Sequence, residues 1–238
     1  MTTVARPCPF SFLYRFLSGS LLSLFAIIWC YLVVLPGLVL AGDAAGSPSA
    51  PAITPVITPA ITPAITKGVL LVAHPSLMDP NFRQTVVLVC EHGAEGTLGV
   101  IINRPTALPL SEALPGVSVL QGTSYVLFAG GPVQPDGILM LFRVVDAPDQ
   151  LRKVLERVYL GLNREILERV ITKPHPTETF RAYAGYSGWA RGQLEFEMAM
   201  GSWAVVPADP SSIFDKTPET LWEELVEALQ APRVIKQD

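Results

Sequence analysis

The sequence predicts an α+β domain that spans Lys67 to Asp238. Several short segments alternate apolar and polar residues or are rich in β-branched residues, a pattern typical of strands. Other segments repeat apolar residues at helical spacing. The two kinds of segment do not follow each other as regular strand–helix–strand units, so an α+β arrangement is favoured over α/β.

An apolar leader occupies residues 1–42. Its core, LLSLFAIIWCYLVVL from Leu21 to Leu35, follows Arg6 and Arg15 and precedes Val39-Leu40-Ala41. Two interpretations stay open: a cleaved signal peptide, or an uncleaved membrane anchor, since a bilayer core needs about 20 apolar residues. The positive charges precede the apolar run, so both predict an exported domain, either periplasmic or anchored in the inner membrane.

A proline-rich linker occupies residues 43–66. The unit Pro-(Ala/Val)-Ile-Thr begins at Pro51, Pro55, Pro59 and Pro63. Proline lacks an N–H and biases the preceding residue to extended angles, so its recurrence at every fourth residue excludes a helix. A disordered or extended tether is expected, and it is favoured over a tract that binds a partner.

The charge of the domain disfavours a nucleic-acid partner. The charged residues before Lys67 are Arg6, Arg15 and Asp43, which leaves 15 Lys and Arg against 20 Asp and Glu, a net charge of −5. Without a basic stripe, such a domain lacks the usual means of neutralising phosphates. No nucleic acid is expected to bind.

Seven segments of the domain are predicted to be strands. They are Gly68–Ala73, Thr85–Cys90, Leu98–Ile102, Tyr125–Ala129, Ile138–Val144, Phe180–Ala184 and Trp203–Val206.

Three segments are predicted to be helices. Apolar residues at helical spacing cover residues 151–162 behind Asp149, and the pattern continues over residues 166–173. The last helix has Thr217 as its N-cap and Pro218 in its first turn. Its apolar face contains Leu221, Trp222, Leu225 and Leu229.

Glu91 and His92 follow Cys90 on a predicted strand. Alternation places Cys90 and His92 on one face and Glu91 on the other. A metal site needs more ligands at suitable spacing, and none is adjacent, so neither a metal nor a cofactor is expected. A Cys–His nucleophile is disfavoured because a hydrophobic strand buries a thiol. Cys90 is expected to be a buried, unpaired core residue.

Two short motifs end predicted strands. Asn103-Arg104-Pro105 offers an arginine that could receive a carboxylate or phosphate, or pair with an acidic neighbour. Gly130-Gly131-Pro132 predicts a tight turn that brings the backbone close to a ligand or to another strand.

The densest stretch of distinctive residues is GYSGWARGQLEFE, Gly185 to Glu197. The motif lacks the spacing of a nucleophile elbow around Ser187. If a helix begins at Gly192, Gln193 and Glu197 lie one turn apart. The preferred interpretation is a turn that leads into a helix, with binding as a secondary role.

Three blocks follow one another along the domain. They are LLVAHPSLMDPNFRQTVVLVCEHGAEGTLGVIINRP at Leu70–Pro105, GGPV at Gly130–Val133 and GYSGWARGQLEFEMAMGSW at Gly185–Trp203. In order and spacing the chain resembles the AlgH/YqgE family of bacterial proteins. The resemblance implies a single compact α+β domain with a complex mixed, partly barrel-like sheet flanked by helices. It implies no catalytic residue, and it implies a cytoplasmic location as the alternative to export.

Two classes of function remain open. The first is a non-enzymatic regulatory or interaction module that binds a small ligand or a protein partner; the family is named partly for a proposed role in regulating alginate synthesis. The second is a hydrolase or transferase that uses Glu91, His92, Glu195 and Glu197. The candidate binding residues are Glu91, His92, Asn103, Arg104, Gly130, Gly131, Tyr186, Trp189, Gln193 and Glu195.

Overall fold

The structure, a computed structural model, describes residues 64–231. The predicted leader at residues 1–42, most of the predicted linker at 43–66 and the C-terminal residues 232–238 lie outside the described residues. The signal peptide, the anchor and the domain boundaries therefore stay predictions. Within the described part of the chain, no helix combines the length and apolar character needed to cross a membrane.

In the part of the chain that the structure describes, ten strands form a mixed β-sheet. In chain order they are β1 Val69–Ala73, β2 Val86–Gly93, β3 Gly96–Ile101, β4 Pro105–Pro109, β5 Val126–Ala129, β6 Val133–Arg143, β7 Arg152–Leu155, β8 Val158–Gly161, β9 Thr179–Trp189 and β10 Trp203–Pro207.

The order of strands in the sheet is β10-β1-β2-β3-β9-β6-β8-β7, with β5 paired to β9 and β4 paired to β5. Only the β5–β9 pair is parallel among the described strands. The ladder has ends at β10 and β7 and does not close over the described residues, although an ion pair between Arg152 and Glu91 joins β7 to β2. The predicted α+β class and the mixed sheet are confirmed.

Over the described residues, five short α-helices and one 3₁₀ helix, Ser118–Leu120, accompany the sheet. The α-helices are α1 Leu110–Ala113, α2 Arg164–Thr172, α3 Gln193–Ala199, α4 Pro210–Phe214 and α5 Pro218–Gln230.

Local signals set where α2 and α5 begin. The side chain of Asn163 accepts a hydrogen bond of 2.9 Å from the Ile166 N–H, which satisfies one free donor of the first turn of α2. Helix α5 begins directly after Thr217 with Pro218 in its first turn, as predicted, although the Thr217 side chain makes no capping hydrogen bond. Leu221 is buried on this helix, whereas Leu229 is exposed.

The predicted helix over residues 151–162 is wrong. Those residues form the hairpin β7–β8, whose two-residue turn is Glu156-Arg157, with Arg157 at a φ of 62°. Strand β8 pairs with β6, so that Leu160 lies opposite Leu141. The apolar residues fit a helical period, but pairing with a neighbouring strand decided the structure.

Strands β1, β2 and β3 are buried on both faces. One core cluster contains Leu70, Leu88 and Cys90, which pack with residues of β6, β7 and β8. The opposite face packs under α3 and the β1–β2 loop, through residues such as Leu194 and Phe82. Burial on both faces explains why β1 and the first five residues of β2 are continuous apolar runs.

Candidate functional site

The ten candidate residues do not form one site. They fall into three separate groups. Asn103, Arg104, Gly130 and Gly131 lie near the ends of β3 and β5, together with Tyr186. His92, Trp189, Gln193 and Glu195 lie around the start of α3. Glu91 stands apart and pairs with Arg152.

Arg104 holds the β1–β2 loop through main-chain carbonyls. Its guanidinium donates hydrogen bonds to the carbonyls of Asn81 at 2.7 Å, Arg83 at 2.9 Å and Pro80 at 3.4 Å. The carbonyls converge because this loop turns sharply: the Asp79 side chain accepts from the Asn81 N–H at 2.7 Å. Arg104 therefore fixes the shape of the loop.

Asn103 ties the other end of the same loop to the sheet. Its side-chain oxygen accepts a hydrogen bond of 2.8 Å from the Val86 N–H. Its side-chain amide N–H donates a hydrogen bond of 3.0 Å to the Gln84 carbonyl. Gln84 adopts a left-handed backbone conformation with a φ of 55°. The role of Asn103 is therefore to hold this turn in place from a buried position.

Gly130 and Gly131 allow close contact with another strand. A Cβ added to Gly131 would lie 2.3 Å from the Tyr186 carbonyl carbon, and one added to Gly130 would lie 2.4 Å from the Gly185 oxygen. The Gly130 carbonyl accepts from the buried Ser187 hydroxyl at 3.2 Å. Of the two interpretations left open by the sequence, the approach to a strand, here β9, is the one observed.

A cleft of about 150 Å³ opens beside this group, and we call it the Arg104 cleft. Its lining residues are Asn81, Ile101, Arg104, Ala129, Gly131 and Pro132. The lining joins the end of β3, the end of β5 and the β1–β2 loop. Of the residues predicted for an active site, none of Glu91, His92, Glu195 or Glu197 lines it.

The positive charge at this cleft is only partly balanced. Among the described residues, no carboxylate lies within ion-pair distance of Arg104. Burial and the positive charge of Arg83 lower the pKa of Arg104, and the negative charge of Asp79 partly offsets this. An arginine stays protonated under such shifts, so the cleft keeps a fixed positive charge.

Glu197 belongs to an aromatic cluster. One carboxylate oxygen accepts from the indole N–H of Trp189 at 3.0 Å and from that of Trp203 at 2.8 Å. The other accepts from the Gln193 amide at 3.1 Å. The Phe82 ring stacks on Trp189 with ring centres 5.6 Å apart. Both oxygens of Glu197 are thus engaged in packing this cluster.

His92 and Glu195 form a loose pair next to the aromatic cluster. The His92 ring lies 2.8 Å from the Thr97 hydroxyl, and its other nitrogen lies 3.9 Å from the Glu195 carboxylate. Glu195 is 51% exposed. Gln193 accepts a hydrogen bond from the Ala190 N–H at 3.1 Å, which secures the turn into α3. No nucleophile is positioned by these contacts.

The predicted arrangement of Cys90, Glu91 and His92 is wrong because the strand contains a β-bulge. Pairing with β3 shifts between Val89 and Glu91, which leaves Cys90 as an extra residue. Cys90 packs in the core beside Leu88, whereas His92 approaches Glu195 near the opposite core cluster. The predicted burial of an unpaired Cys90 is confirmed, and burial raises the pKa of its thiol.

The predicted turn at Gly185–Glu197 is only partly correct. Residues up to Trp189 continue β9, and the turn is confined to Ala190–Gly192. Gly192 has a φ of 77° and precedes α3, which confirms the predicted start of that helix. Gly185 has a φ of 65°, and the carbonyl oxygens of Gly131 and Val133 lie where its side chain would be.

Sequence reasoning missed Asn81, Phe82 and Trp203. The Asp79-Pro80-Asn81 turn signature could have indicated a shaped loop. Nothing local indicates that its carbonyls meet Arg104. In residues 64–231, no three side chains of the metal-binding types His, Cys, Asp and Glu come together as a candidate metal site.

A family model and several bacterial proteins are similar to this chain in sequence. The AlgH-like family model, DUF179, matches residues 70–233. A UPF0301 protein of Streptomyces avermitilis is 40% identical over 168 residues, 67% of this chain and 84% of that protein. A UPF0301 protein of Chlorobium chlorochromatii is 37% identical over 163 residues, 68% and 85% of the two chains.

Two solved structures are similar to the described domain. The solution structure of the AlgH protein from Pseudomonas aeruginosa has a TM-score of 0.58 and 30% identity over 70% of this chain and 89% of that chain. A crystal structure of a Corynebacterium diphtheriae protein has a TM-score of 0.60 and 23% identity over 72% and 90%, a likeness of fold alone. The resemblance of the three sequence blocks is thereby confirmed. This chain belongs to the AlgH-like family.

Proposed function

We propose that the domain is a non-enzymatic regulatory or interaction module, and that its small-molecule or protein partner places an anionic group in the Arg104 cleft. One observation carries the proposal: Arg104 lines a cleft, and within residues 64–231 its side chain donates hydrogen bonds only to main-chain carbonyls. A guanidinium has five N–H donors, and three hydrogen bonds to carbonyls leave donors for a ligand. The free donors lie on Nε and Nη1, because both N–H groups of Nη2 are used, and each can donate a charge-assisted hydrogen bond to a carboxylate or phosphate oxygen.

The size of the cleft favours a group that belongs to a larger partner. Small-molecule sites usually enclose about 300–1,000 Å³, whereas this cleft encloses about 150 Å³. It therefore fits one head group and not a whole cofactor. The remaining contacts would be made on the surrounding surface.

The alternative function, a hydrolase or transferase, has weaker support. Its four residues divide between distinct environments. Glu91 pairs with Arg152, and Glu197 accepts hydrogen bonds from two indoles and from the Gln193 amide. Of the four, His92 and Glu195 are neighbours. A general base must lie within hydrogen-bond reach of the proton that it removes. Turnover of an ester or phosphoester that disappears in a folded His92→Gln variant would establish the enzyme instead.

Anion-dependent thermal stabilisation of the full chain tests the binding proposal. Acetate, sulfate and inorganic phosphate are titrated at constant ionic strength. At least one is expected to raise the Tm of the wild type and to have a smaller effect on Asn81→Asp, which adds a negative charge at the rim while keeping the main-chain carbonyl that binds Arg104. Arg191→Gln, at an exposed arginine outside the cleft, is the matched control. Equal responses in all three proteins would contradict the proposal.

We further propose that the domain acts outside the cytoplasm. The support is the order of Arg6, Arg15 and the apolar run Leu21–Leu35, followed by the proline-rich linker. If the leader is cleaved, N-terminal sequencing is expected to show that the mature protein begins near Gly42. An intact N-terminus in the membrane fraction indicates an anchor, and full-length protein in the cytosol would contradict export.

A further inference from the structure

The lining of the Arg104 cleft restricts the chemistry of the anion. The polar part consists of Arg104 and Asn81, and the rest is contributed by Ile101, Ala129 and Pro132 together with Gly131. Apolar walls favour a hydrocarbon stem over a sugar or another polyhydroxylated group, because buried hydroxyls without partners are costly. The group that enters should therefore carry its charge at one end of an apolar stem.

The charge of the ligand is restricted by the groups around Arg104. Arg83 and Asp79 are the charged neighbours that act on it, so the local net charge is a single positive one. The carbonyl oxygens of Pro80, Asn81 and Arg83 already surround the guanidinium and turn their negative ends toward it. A second negative charge on the ligand would be repelled by these dipoles, so a monoanion is favoured over a dianionic phosphate.

The volume sets the length of the stem. A cavity of about 150 Å³ holds a molecule of roughly the size of benzene. A carboxylate with two to four carbon atoms behind it is of that size. Longer chains would extend from the open side of the cleft.

We propose that the Arg104 cleft binds a carboxylate carried on a short aliphatic stem, either a free short-chain acid or the C-terminal residue of an apolar peptide. This inference rests on the proposed function and narrows its ligand class. The carboxylate pairs with the donors of Arg104 that the carbonyls leave free. The stem packs against Ile101, Ala129 and Pro132.

Ligand-observed NMR on the full chain tests the inference with defined probes. Saturation transfer is measured for butyrate, for its neutral analogue butyramide, and for acetyl-Ala-Val with a free or an amidated C-terminus. Phosphorus line broadening reports on inorganic phosphate. At least one of butyrate and the free-acid peptide is expected to bind. Butyramide and the amidated peptide, which carry no carboxylate, are expected not to bind. Asn81→Asp is expected to weaken that binding about tenfold by charge repulsion, and the uncharged Asn81→Ser is expected to retain most of it.

The outcomes separate this inference from the proposed function. Stronger binding of butyrate than of the peptide identifies a free acid as the source, and the reverse identifies a chain terminus. Phosphate binding that displaces or exceeds butyrate overturns the carboxylate but leaves an anion-binding module. Equal binding of butyrate and butyramide, or no binding of any anion, overturns both proposals.

Discussion

The carboxylate of Glu197 accepts a hydrogen bond of 2.8 Å from the indole N–H of Trp203. The same oxygen accepts a second indole N–H, that of Trp189. Both tryptophans are 4% exposed, so water cannot replace these bonds. One helix residue thus connects the end of β9 to the start of β10, and a glutamate that resembled a candidate acid–base group is a structural anchor.

Glu197→Ala is expected to destabilise the fold by about 1–3 kcal/mol, because two buried donors lose their acceptor. Urea unfolding followed by tryptophan fluorescence measures the change. Glu195→Ala, at an exposed position two residues earlier on the same helix, is the control and should change stability by less than about 0.5 kcal/mol. Equal effects of the two substitutions would show that the indole bonds contribute little.

Asn103→Ala is expected to lower the free energy of unfolding by about 1–3 kcal/mol. The Val86 N–H and the Gln84 carbonyl would lose their buried side-chain partner. Chemical denaturation gives the free energy, and hydrogen exchange at Val86 reports on the loop itself. Gln121→Ala, at an exposed position after the 3₁₀ helix, is the control. Unchanged exchange at Val86 would contradict this role for Asn103.

Gly131→Ala is expected to destabilise the domain by at least about 2 kcal/mol, because its Cβ would overlap the backbone of Tyr186 and the φ of 153° disfavours a side chain. Thermal unfolding measures the loss. In Gly116→Ala the added Cβ has nothing within 4 Å, so little change is expected. A Gly131→Ala protein as stable as Gly116→Ala would mean that β5 and β9 can move apart without cost.

Glu178 is expected to make stability depend on pH. Burial alone would raise the pKa of its carboxyl, but hydrogen bonds from the Val145 N–H and from Arg169 outweigh it and hold the pKa below the ordinary value of 4.5. A lowered pKa in the folded state adds stability above pH 4.5, and this stability is lost as the pH falls through the folded value. Glu178→Gln should therefore lower the free energy of unfolding by about 1–2 kcal/mol at pH 7 and by less at pH 3.

Unfolding free energies at the two pH values test the role of Glu178. The control is Glu168→Gln, which removes an exposed pair with Arg164 within α2 and should matter little at either pH. A cost of Glu178→Gln that is the same at pH 3 and pH 7 would show that the charge of the carboxylate is not what stabilises this contact.

Much of the fold could be predicted from local pattern. Alternation and β-branched residues indicated β1, β2 and β3, and the capping signals placed the start of α5 at Pro218. The same method assigned a helix to residues 151–162, where the structure has a hairpin. The apolar residues there fit the helical period as well as the strand period. The pairing of β8 with β6 decides for the strands.

The candidate site was predictable only in part. Sequence reasoning named Arg104 and Gly131, and the structure places both on one cleft. It did not indicate Asn81, whose carbonyl meets Arg104 across 23 positions of the chain. It also placed Cys90 and His92 on one face of β2, whereas the bulge at Cys90 turns the two side chains to opposite sides of the strand.

By itself, the sequence determined the class of the fold, its family, the burial of Cys90 and the helix that begins after Gly192. These depend on residues close together in the chain, whose spacing fixes which side chains share a face. Only the tertiary structure decided that Glu197 binds two tryptophans, that Gly131 lies against Tyr186 and that carbonyls surround Arg104. Such contacts join distant segments, and their stability comes from burial and hydrogen bonding that exist only once the sheet has assembled.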